Sequence, residues 1–513
     1  MKNLRHLSIA SIFLFYAPGV GAQQPSGSTS LPSAPQKQFL QQLKKPDKLA
    51  PSTFERAQVP TVPDDSVYWE SARRKGKVEQ PLHVRDQAFI LLDPALTPAE
   101  ISAAIAQYNL QVIDATPQIG GLLVDVSRVP LTTPSPSPDL KSSPFAVSPA
   151  IEQLRKDPKF LAVTPNTVVT PHQLASAVVQ RHAAASRALE AAAAAEITDW
   201  GMQDAKVVGM WSLLTGQAFE VGVIDVGFAT HEDIAARAAL VQSMPSNNHG
   251  NHVAGIACGQ HNNKGLRGVL PNCTAAISTG SFVLDLADPI ENVNTQFYGL
   301  FAELVATVLE FIDANSGVKN INLSLGYNWM PNFNINPNDP ISPAARDARD
   351  LVRQQGTIFL RILAFARQRD VAIISAAGND SGSLATPTAA KWASPFNWAA
   401  LTMKDLDGWS NGIVVEAHDI NGQRAIFSNV GGNISAPGVN IYSAVATANN
   451  AYGTMSGTSM ASPHVTGAIA GLRMLRPNRT LRQAVDCLLS SPNLTNVGTP
   501  KLDVMHAIAG CAP

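Results

Sequence analysis

A serine, a histidine and an aspartate in this chain stand in settings suited to chemistry. Ser459 lies in the stretch Tyr452-Gly-Thr-Met-Ser-Gly-Thr-Ser-Met-Ala-Ser-Pro-His464. Gly453 and Gly457 permit a tight backbone path just before it, and Pro463 fits the first turn of a following helix. The apolar run from Val465 to Leu472 continues that helix as a buried one. Ser459 is therefore expected at a helix N-terminus, where free N–H groups and the helix dipole favour developing negative charge. A nucleophilic serine with half of an oxyanion hole suits that place. A plain serine N-cap before a core helix would suit it too.

The partners separate the two. Phe219 to Ile224 reads as a short apolar run, a buried strand that ends at Asp225. His249-Gly-Asn-His-Val-Ala-Gly255 opens a second small-residue helix. Nucleophilic serine chemistry needs a base for the hydroxyl proton and a carboxylate to fix that base's tautomer. The chain order Asp225, His249, Ser459 is one of the known orders for such a triad.

Three motifs, VIDVG around Asp225, HGNHVAG around His249 and GTSMASPH around Ser459, resemble those of the subtilisin-like serine proteases, the subtilases. A fourth, SAAGND from Ser375 to Asp380, places Asn379 where that family has its oxyanion-hole amide. The resemblance implies a secreted endopeptidase acting on protein or peptide substrates through Asp225, His249 and Ser459, with Asn379 and the Ser459 N–H as oxyanion donors. It also implies that Ser324, Leu325 and Gly326 form a substrate-binding edge strand whose backbone pairs with peptide. Two departures stand out. Val226 follows the aspartate where the family has Ser or Thr, and Asn251 replaces the threonine of the histidine motif.

The chain around these motifs has 513 residues, a formal net charge of −1 and no long basic run, so nothing points to nucleic acid. Residues 1–22 have a charged start, an apolar run from Leu7 to Tyr16, and Val20-Gly-Ala22, which reads as a secretion signal. The apolar run is too short to span a bilayer, and no later apolar stretch is long enough. Secreted or periplasmic localisation, no membrane contact after signal removal and a monomer are expected. Residues 23–85, rich in Gln, Ser, Pro and Lys, read as mostly disordered spacer.

Residues 86–172 carry signals for β-α-β-β-α-β order. These are Phe89–Leu92, a Thr97-Pro-Ala-Glu100 capping box, strands around Val112 and Leu122 to Val126, a helix after Ser148-Pro149, and a strand from Phe160. That order suits a small ferredoxin-like domain and resembles the inhibitory propeptide of subtilases. An Ala-rich linker, 173–196, is the least constrained place for cleavage. From 197 to 513, strands alternate with helices, which argues for a parallel sheet covered on both faces. The expected fold is α/β, a three-layer catalytic domain with a mainly parallel sheet, preceded by the α+β propeptide.

Other residues carry less. His252 and His464 read as packed helix histidines. The segment from Tyr327 to Pro343, rich in Asn and Pro, is either a lid over the cleft or an inserted surface loop. No cofactor is required by the chemistry. Relatives bind calcium at the place of Gln260 to Gly265, but here only Asn262 and Asn263 offer oxygen ligands there, so calcium stays an option and no metal site is assigned. Four cysteines in an exported chain favour two disulfides, and short loops select Cys258–Cys273 and Cys487–Cys511. Two other readings are open. A secreted scaffold could keep the fold without turnover, against which the intact triad residues argue. An α/β-hydrolase esterase needs a second glycine after the serine, where this chain has Ala461.

Overall fold

The computed structural model describes residues 28–44, 83–132, 145–171, 196–240, 248–278, 284–286, 296–382, 384 and 386–510. The expected signal (1–22), nearly all of the expected linker (173–196) and Cys511 lie outside the described residues.

The N-terminal part contains α1 (Ala34–Leu43), β1 (His83–Leu92), α2 (Pro98–Gln107), β2 (Gln111–Thr116), β3 (Gly121–Asp125), α3 (Pro149–Leu154) and β4 (Phe160–Pro171). From β1 onward this is the expected β-α-β-β-α-β order, with β2-β3-β1-β4 adjacent and antiparallel. Local chemistry starts its helices. The Thr97 hydroxyl accepts from Glu100 N–H at 3.3 Å, while the Glu100 carboxylate accepts from Thr97 N–H at 2.8 Å, closing a capping box.

Helix α1 occupies a part of 23–85, a region whose composition reads as mostly disordered spacer. Ser33 caps it and a proline follows in its first turn. Its Leu40 joins the apolar core of the N-terminal unit, and the buried Gln36 donates to the Asp93 carbonyl at 3.0 Å. A polar composition hides a helix whose stability comes from docking on another unit rather than from its own sequence.

The larger part runs α4 (Trp200–Asp204), α5 (Val207–Trp211), β5 (Phe219–Ile224), β6 (Ala235–Leu240), α6 (His249–Cys258), β7 (Cys273–Ser278), β8 (Leu284–Leu286), β9 (Gln296–Leu300), α7 (Phe301–Ala314), β10 (Asn320–Leu323) and β11 (Leu325–Gly326). It continues with α8 (Pro343–Gln368), β12 (Ala372–Ala376), α9 (Pro395–Asp407), β13 (Gly412–His418), β14 (Ile434–Pro437), β15 (Ile441–Ala444), β16 (Tyr452–Met455), α10 (Thr458–Leu475), α11 (Leu481–Leu489) and α12 (Val504–Gly510). Strands β14-β13-β12-β10-β5-β7-β6 form one sheet, and every pair in it is parallel. Two separate apolar cores line its two faces, one including Val221, Val223 and Val465, the other Ile224, Ile321 and Phe359. This is the expected three-layer α/β architecture. Burial on both faces explains why β5 and β12 read as continuous apolar runs instead of alternating ones.

Strand β4 belongs to both parts. Its first residues pair with β1, from Leu92↔Phe160 to Ala88↔Pro165 and, after a register shift, His83↔Thr167. Its last residues leave that sheet and pair antiparallel with β9 (Val168↔Leu300, Val169↔Gly299) and β11 (Leu325↔Pro171, Gly326↔Thr170). Side chains fasten the same junction. Arg155 pairs with Asp350 of α8 at 2.7 Å, and Asn166 accepts from Ala302 N–H, at the start of α7, at 3.0 Å. Arg361 of α8 is fully buried and donates to the Leu92 and Ile119 carbonyls at 2.8 and 3.0 Å. Burial lowers its guanidinium pKa to about 10.

Among the described residues, no helix is long and apolar enough to cross a membrane. Cys258, at the end of α6, and Cys273, at the start of β7, form a disulfide with a Cα–Cα distance of 4.9 Å. The expected partner of Cys487 lies outside the described residues. A bridge between residues 15 apart in sequence contributes about 3 kcal/mol in the chain-entropy account. Cys258→Ser should therefore lower the unfolding midpoint in oxidising buffer and leave it unchanged relative to wild type in strong reductant, as read by circular dichroism. An equal drop in both buffers would mean that packing, and not the bridge, is lost.

Candidate active site

Asp225 is the residue immediately after β5, at the carboxyl end of a central strand, and is fully buried. Open parallel sheets present their chemistry at that end. Its Oδ1 accepts from its neighbour Val226 N–H at 2.7 Å and lies 2.7 Å from His249 Nδ1. His249 is the first residue of α6 and is only 2 % exposed. Such an arrangement fixes the imidazole's orientation and leaves Nε2 as the nitrogen available for proton transfer.

The neighbouring residues explain the closeness of β5 and α6. Gly250 donates to the Val226 carbonyl at 2.7 Å, and a Cβ on it would sit 2.7 Å from that oxygen and 2.8 Å from the Phe228 ring. No side chain fits there. Asn251 grips Ala229 at both ends of its amide, Oδ1 accepting from the backbone N–H and Nδ2 donating to the carbonyl, each at 3.0 Å. The departure from threonine thus serves to clamp the segment after Asp225. The other departure leaves a gap. With valine at 226, no adjacent hydroxyl serves Asp225 Oδ2, which has no hydrogen-bond partner among the described residues.

Ser459 is the second residue of α10, with Gly457 as the residue before the helix. The helix begins earlier than Pro463 suggests. Pro463 is inside it, not in its first turn, so the Ser459 carbonyl lacks the N–H that residue 463 would otherwise offer. Ser459 itself keeps a place among the N-terminal amides that have no intrahelical acceptor. Asn379 stands beside it. The Asn379 Oδ1 accepts from both the N–H and the hydroxyl of Thr458 at 2.9 Å, and the Thr458 hydroxyl accepts from Gly378 N–H at 3.1 Å. Holding the amide's oxygen end fixes its nitrogen as the donor end.

Ser324 follows β10, and Leu325–Gly326 is the edge strand that receives β4. Asn322, which the motifs did not single out, ties these pieces together. Its Nδ2 donates to Ser324 Oγ at 3.0 Å, and its Oδ1 accepts from Ser462 at 2.6 Å and Thr466 at 3.2 Å, both on α10. The sequence signal for it is weak, since it is one of two asparagines, with Asn320, that alternate with apolar residues in β10.

His252 and His464 are packed residues, as expected. Their rings bond to the Gly453 carbonyl at 3.2 Å and the Met460 carbonyl at 2.9 Å, and burial lowers their pKa values to about 3 and about 4. The segment after Gly326 turns inward. Tyr327 stacks on Trp329 with 4.5 Å between ring centroids, and Trp329 donates to the Trp392 carbonyl at 2.7 Å and meets Phe145 edge-on at 5.1 Å. It is a wedge between the two units rather than a loose surface loop.

The sequence places no carboxylate within 260–265, but the fold brings one in. Asp233 accepts from Leu266 N–H at 2.9 Å and bonds to the Asn262 side chain. Its Oδ1 is buried with no hydrogen-bond partner among the described residues, an atom that would suit a cation. Among the described residues, however, no group of three or more His, Cys, Asp or Glu side chains is placed to hold a metal ion.

Comparison with known proteins agrees with this geometry. Residues 216–503, more than half of the chain, match the subtilase family model. The chain belongs to the subtilase family. It is 30% identical to subtilisin BL of Lederbergia lenta over 276 residues, covering 52% of this chain and 80% of that one. An alkaline protease of Alkalihalobacillus alcalophilus is 30% identical over 277 residues, covering 52% of this chain and only 56% of that protein. Among solved structures, fervidolysin of Fervidobacterium pennivorans, described as a keratinolytic enzyme related to subtilisin, superposes with a TM-score of 0.52 at 18% identity, covering 90% of this chain and 66% of that one. That last likeness supports the fold alone.

Burial raises the Asp233 carboxyl from 3.8 to about 7. A carboxyl whose folded pKa exceeds its unfolded value costs nothing below the unfolded value and destabilises the fold increasingly between the two. Asp233→Asn keeps an acceptor for Leu266 N–H and removes that cost. In chelator, the variant should unfold with wild type below pH 4 and at higher temperature than wild type at pH 8. Added calcium should narrow the gap by stabilising wild type. Equal midpoints at pH 8 in chelator would refute the raised pKa, and no response to calcium would remove the cation.

Proposed function

We propose that this subtilase is a secreted serine endopeptidase of protein or peptide substrates, made as a self-inhibited precursor. The observation that supports it most is the 2.7 Å contact between the buried Asp225 carboxylate and His249 Nδ1 at the carboxyl end of β5. In this reading Ser459 Oγ attacks the scissile carbonyl while His249 Nε2 takes the hydroxyl proton and later returns it to the leaving amine. Asp225 holds the imidazole and stabilises its charged form. The Ser459 N–H and the Asn379 amide donate to the oxyanion. Thr458 holds the Asn379 amide and the first turn of α10 holds the Ser459 N–H, so both donors are in place before charge develops.

Residues 1–22 then serve as the export signal, 86–172 as the propeptide, 173–196 as the linker to be cut, and 197–513 as the catalytic domain, outside the cytoplasm and monomeric. The pairing of β4 with Leu325–Gly326 and with β9 supports the propeptide role, since those strands would otherwise bind substrate backbone. The helix at 34–43 extends the inhibitory unit upstream of 86. A calcium ion at Asp233 and Asn262 would be structural, pinning the loop after α6, with no part in the proton transfers.

Ser459→Ala should abolish casein hydrolysis, keep the folded circular-dichroism spectrum and accumulate as an uncut precursor, whereas wild type separates into two pieces. Comparable turnover by the variant, freed of contaminants, would end the serine-protease reading. Asn379→Leu should lower kcat by roughly 10²–10³, the scale known for an oxyanion donor in a subtilisin, with KM little changed. A loss confined to KM would make Asn379 a substrate-positioning residue instead.

A further inference from the structure

The last strand of the N-terminal unit touches the catalytic unit through more than its backbone. Thr167, Tyr327 and Gln355 are all buried, with exposures of 1 %, 1 % and 0 %. The Tyr327 hydroxyl donates to Gln355 Oε1, and Gln355 Nε2 donates to Thr167 Oγ1 at 2.7 Å. The Thr167 and Tyr327 hydroxyls are 2.9 Å apart, so the Thr167 proton goes to the Tyr327 oxygen. The three groups close a ring in which each donates once and accepts once.

Two members of the ring belong to the catalytic unit. Tyr327 follows the edge strand directly, and Gln355 sits in the middle of α8. Both remain if β4 departs, so the Gln355 amide and the Tyr327 hydroxyl stay in place to meet whatever strand follows. Thr167 lies on the same face of β4 as Val169, which enters the apolar cluster containing Leu325. Three residues beyond Thr167, Thr170 pairs with Gly326.

We propose that Tyr327 and Gln355 form a side-chain subsite that reads a hydroxyl-bearing residue, Thr or Ser, in an extended peptide, three residues before the one paired with Gly326. This rests on the protease reading and names a preference within it. The warrant is asymmetric satisfaction. A hydroxyl both gives and accepts in the ring, whereas valine of nearly the same shape would take from the buried Gln355 amide the acceptor that it has there. Sites built around a substrate hydroxyl reject analogues that lack it far more strongly than apolar pockets reject a missing methylene.

The test uses the secreted enzyme and internally quenched peptides covering residues 163–176, with the native Thr167, with Thr167→Ser and with Thr167→Val. Wild type should favour the Thr and Ser peptides over the Val peptide by about tenfold or more in kcat/KM, chiefly through KM. Tyr327→Phe and Gln355→Leu should each reduce that ratio to within about twofold while still hydrolysing the Val peptide. If Gln355→Leu fails to fold, Tyr327→Phe and the wild-type ratio carry the decision. Peptides that bind without being cut are compared by their Ki against casein hydrolysis, with the same ratios expected. Equal handling of Thr and Val peptides by wild type, or an unchanged ratio in both variants, overturns the subsite while leaving the protease intact. Wild type that hydrolyses neither casein nor any peptide overturns the protease reading and the subsite with it.

Discussion

A carboxyl group removed from water needs hydrogen-bonding partners in its place, and Asp225 is removed from water completely. Much of the catalytic unit's architecture can be read as the means of bringing His249 to it. The parallel sheet delivers Asp225 at a strand's carboxyl end, with its N–H bound to the Ser278 carbonyl of the next strand at 3.0 Å. Helix α6 can come close enough only because Gly250 has no side chain. The Asn251 clamp fixes the intervening segment, and α10 packs against α6 to carry Ser459 toward the same place. Loosening any one of these would leave a buried polar pair with weaker contact, which is costly in an interior that offers no water to replace it.

The second constraint is the edge. The short strand β11 follows the central strand β10 and, among the described residues, its backbone pairs with β4 alone; left open, such an edge in a protease is a template for any extended peptide. Strand β4 fills it while remaining anchored in its own antiparallel sheet, so one covalent segment is shared between two hydrogen-bonded systems. The attachment is reinforced at a distance from the cleft. Arg155 with Asp350, Arg361 on two carbonyls, and Asn166 at the start of α7 all lie on the interface. Partly exposed pairs such as Arg155–Asp350 each contribute little, roughly 1 kcal/mol or less. The buried Arg361 matters more, because withdrawing its carbonyl acceptors would leave a guanidinium in an apolar setting.

The aromatic wedge from Tyr327 to Phe333 shows how a segment with a loop-like composition becomes core. Its Asn and Pro content suits an irregular path, and the three rings at 327, 329 and 333 give that path something to bury. The buried Asp380 carboxylate accepts from Met330 N–H at 3.2 Å and from Asn429 at 2.9 Å, tying the wedge to the segment after β12 that bears Asn379. Burial pushes that carboxyl's pKa up despite both bonds.

The sequence by itself determined whatever depends on short spans of chain. The residues proposed for catalysis stand in local strings, the capping box of α2 is formed by Thr97 and Glu100, and β5 and β12 are apolar because both faces of their sheet are covered. The Cys258–Cys273 bridge closes a short loop. Tertiary structure decided what depends on residues far apart. Helix α1 has too little apolar content to be seen alone and forms where Leu40 and Gln36 find a partner unit. Asp233 reaches the 260–265 loop from across the fold, and Asn322 becomes a junction only once α10 lies over β10. Pro463 reads locally as a helix start, yet the packing of α10 on the sheet and on α6 carries the helix through it from Thr458. Each of these rests on contacts whose free energy exists only after distant segments have met, and a linear sequence carries no local mark of that meeting.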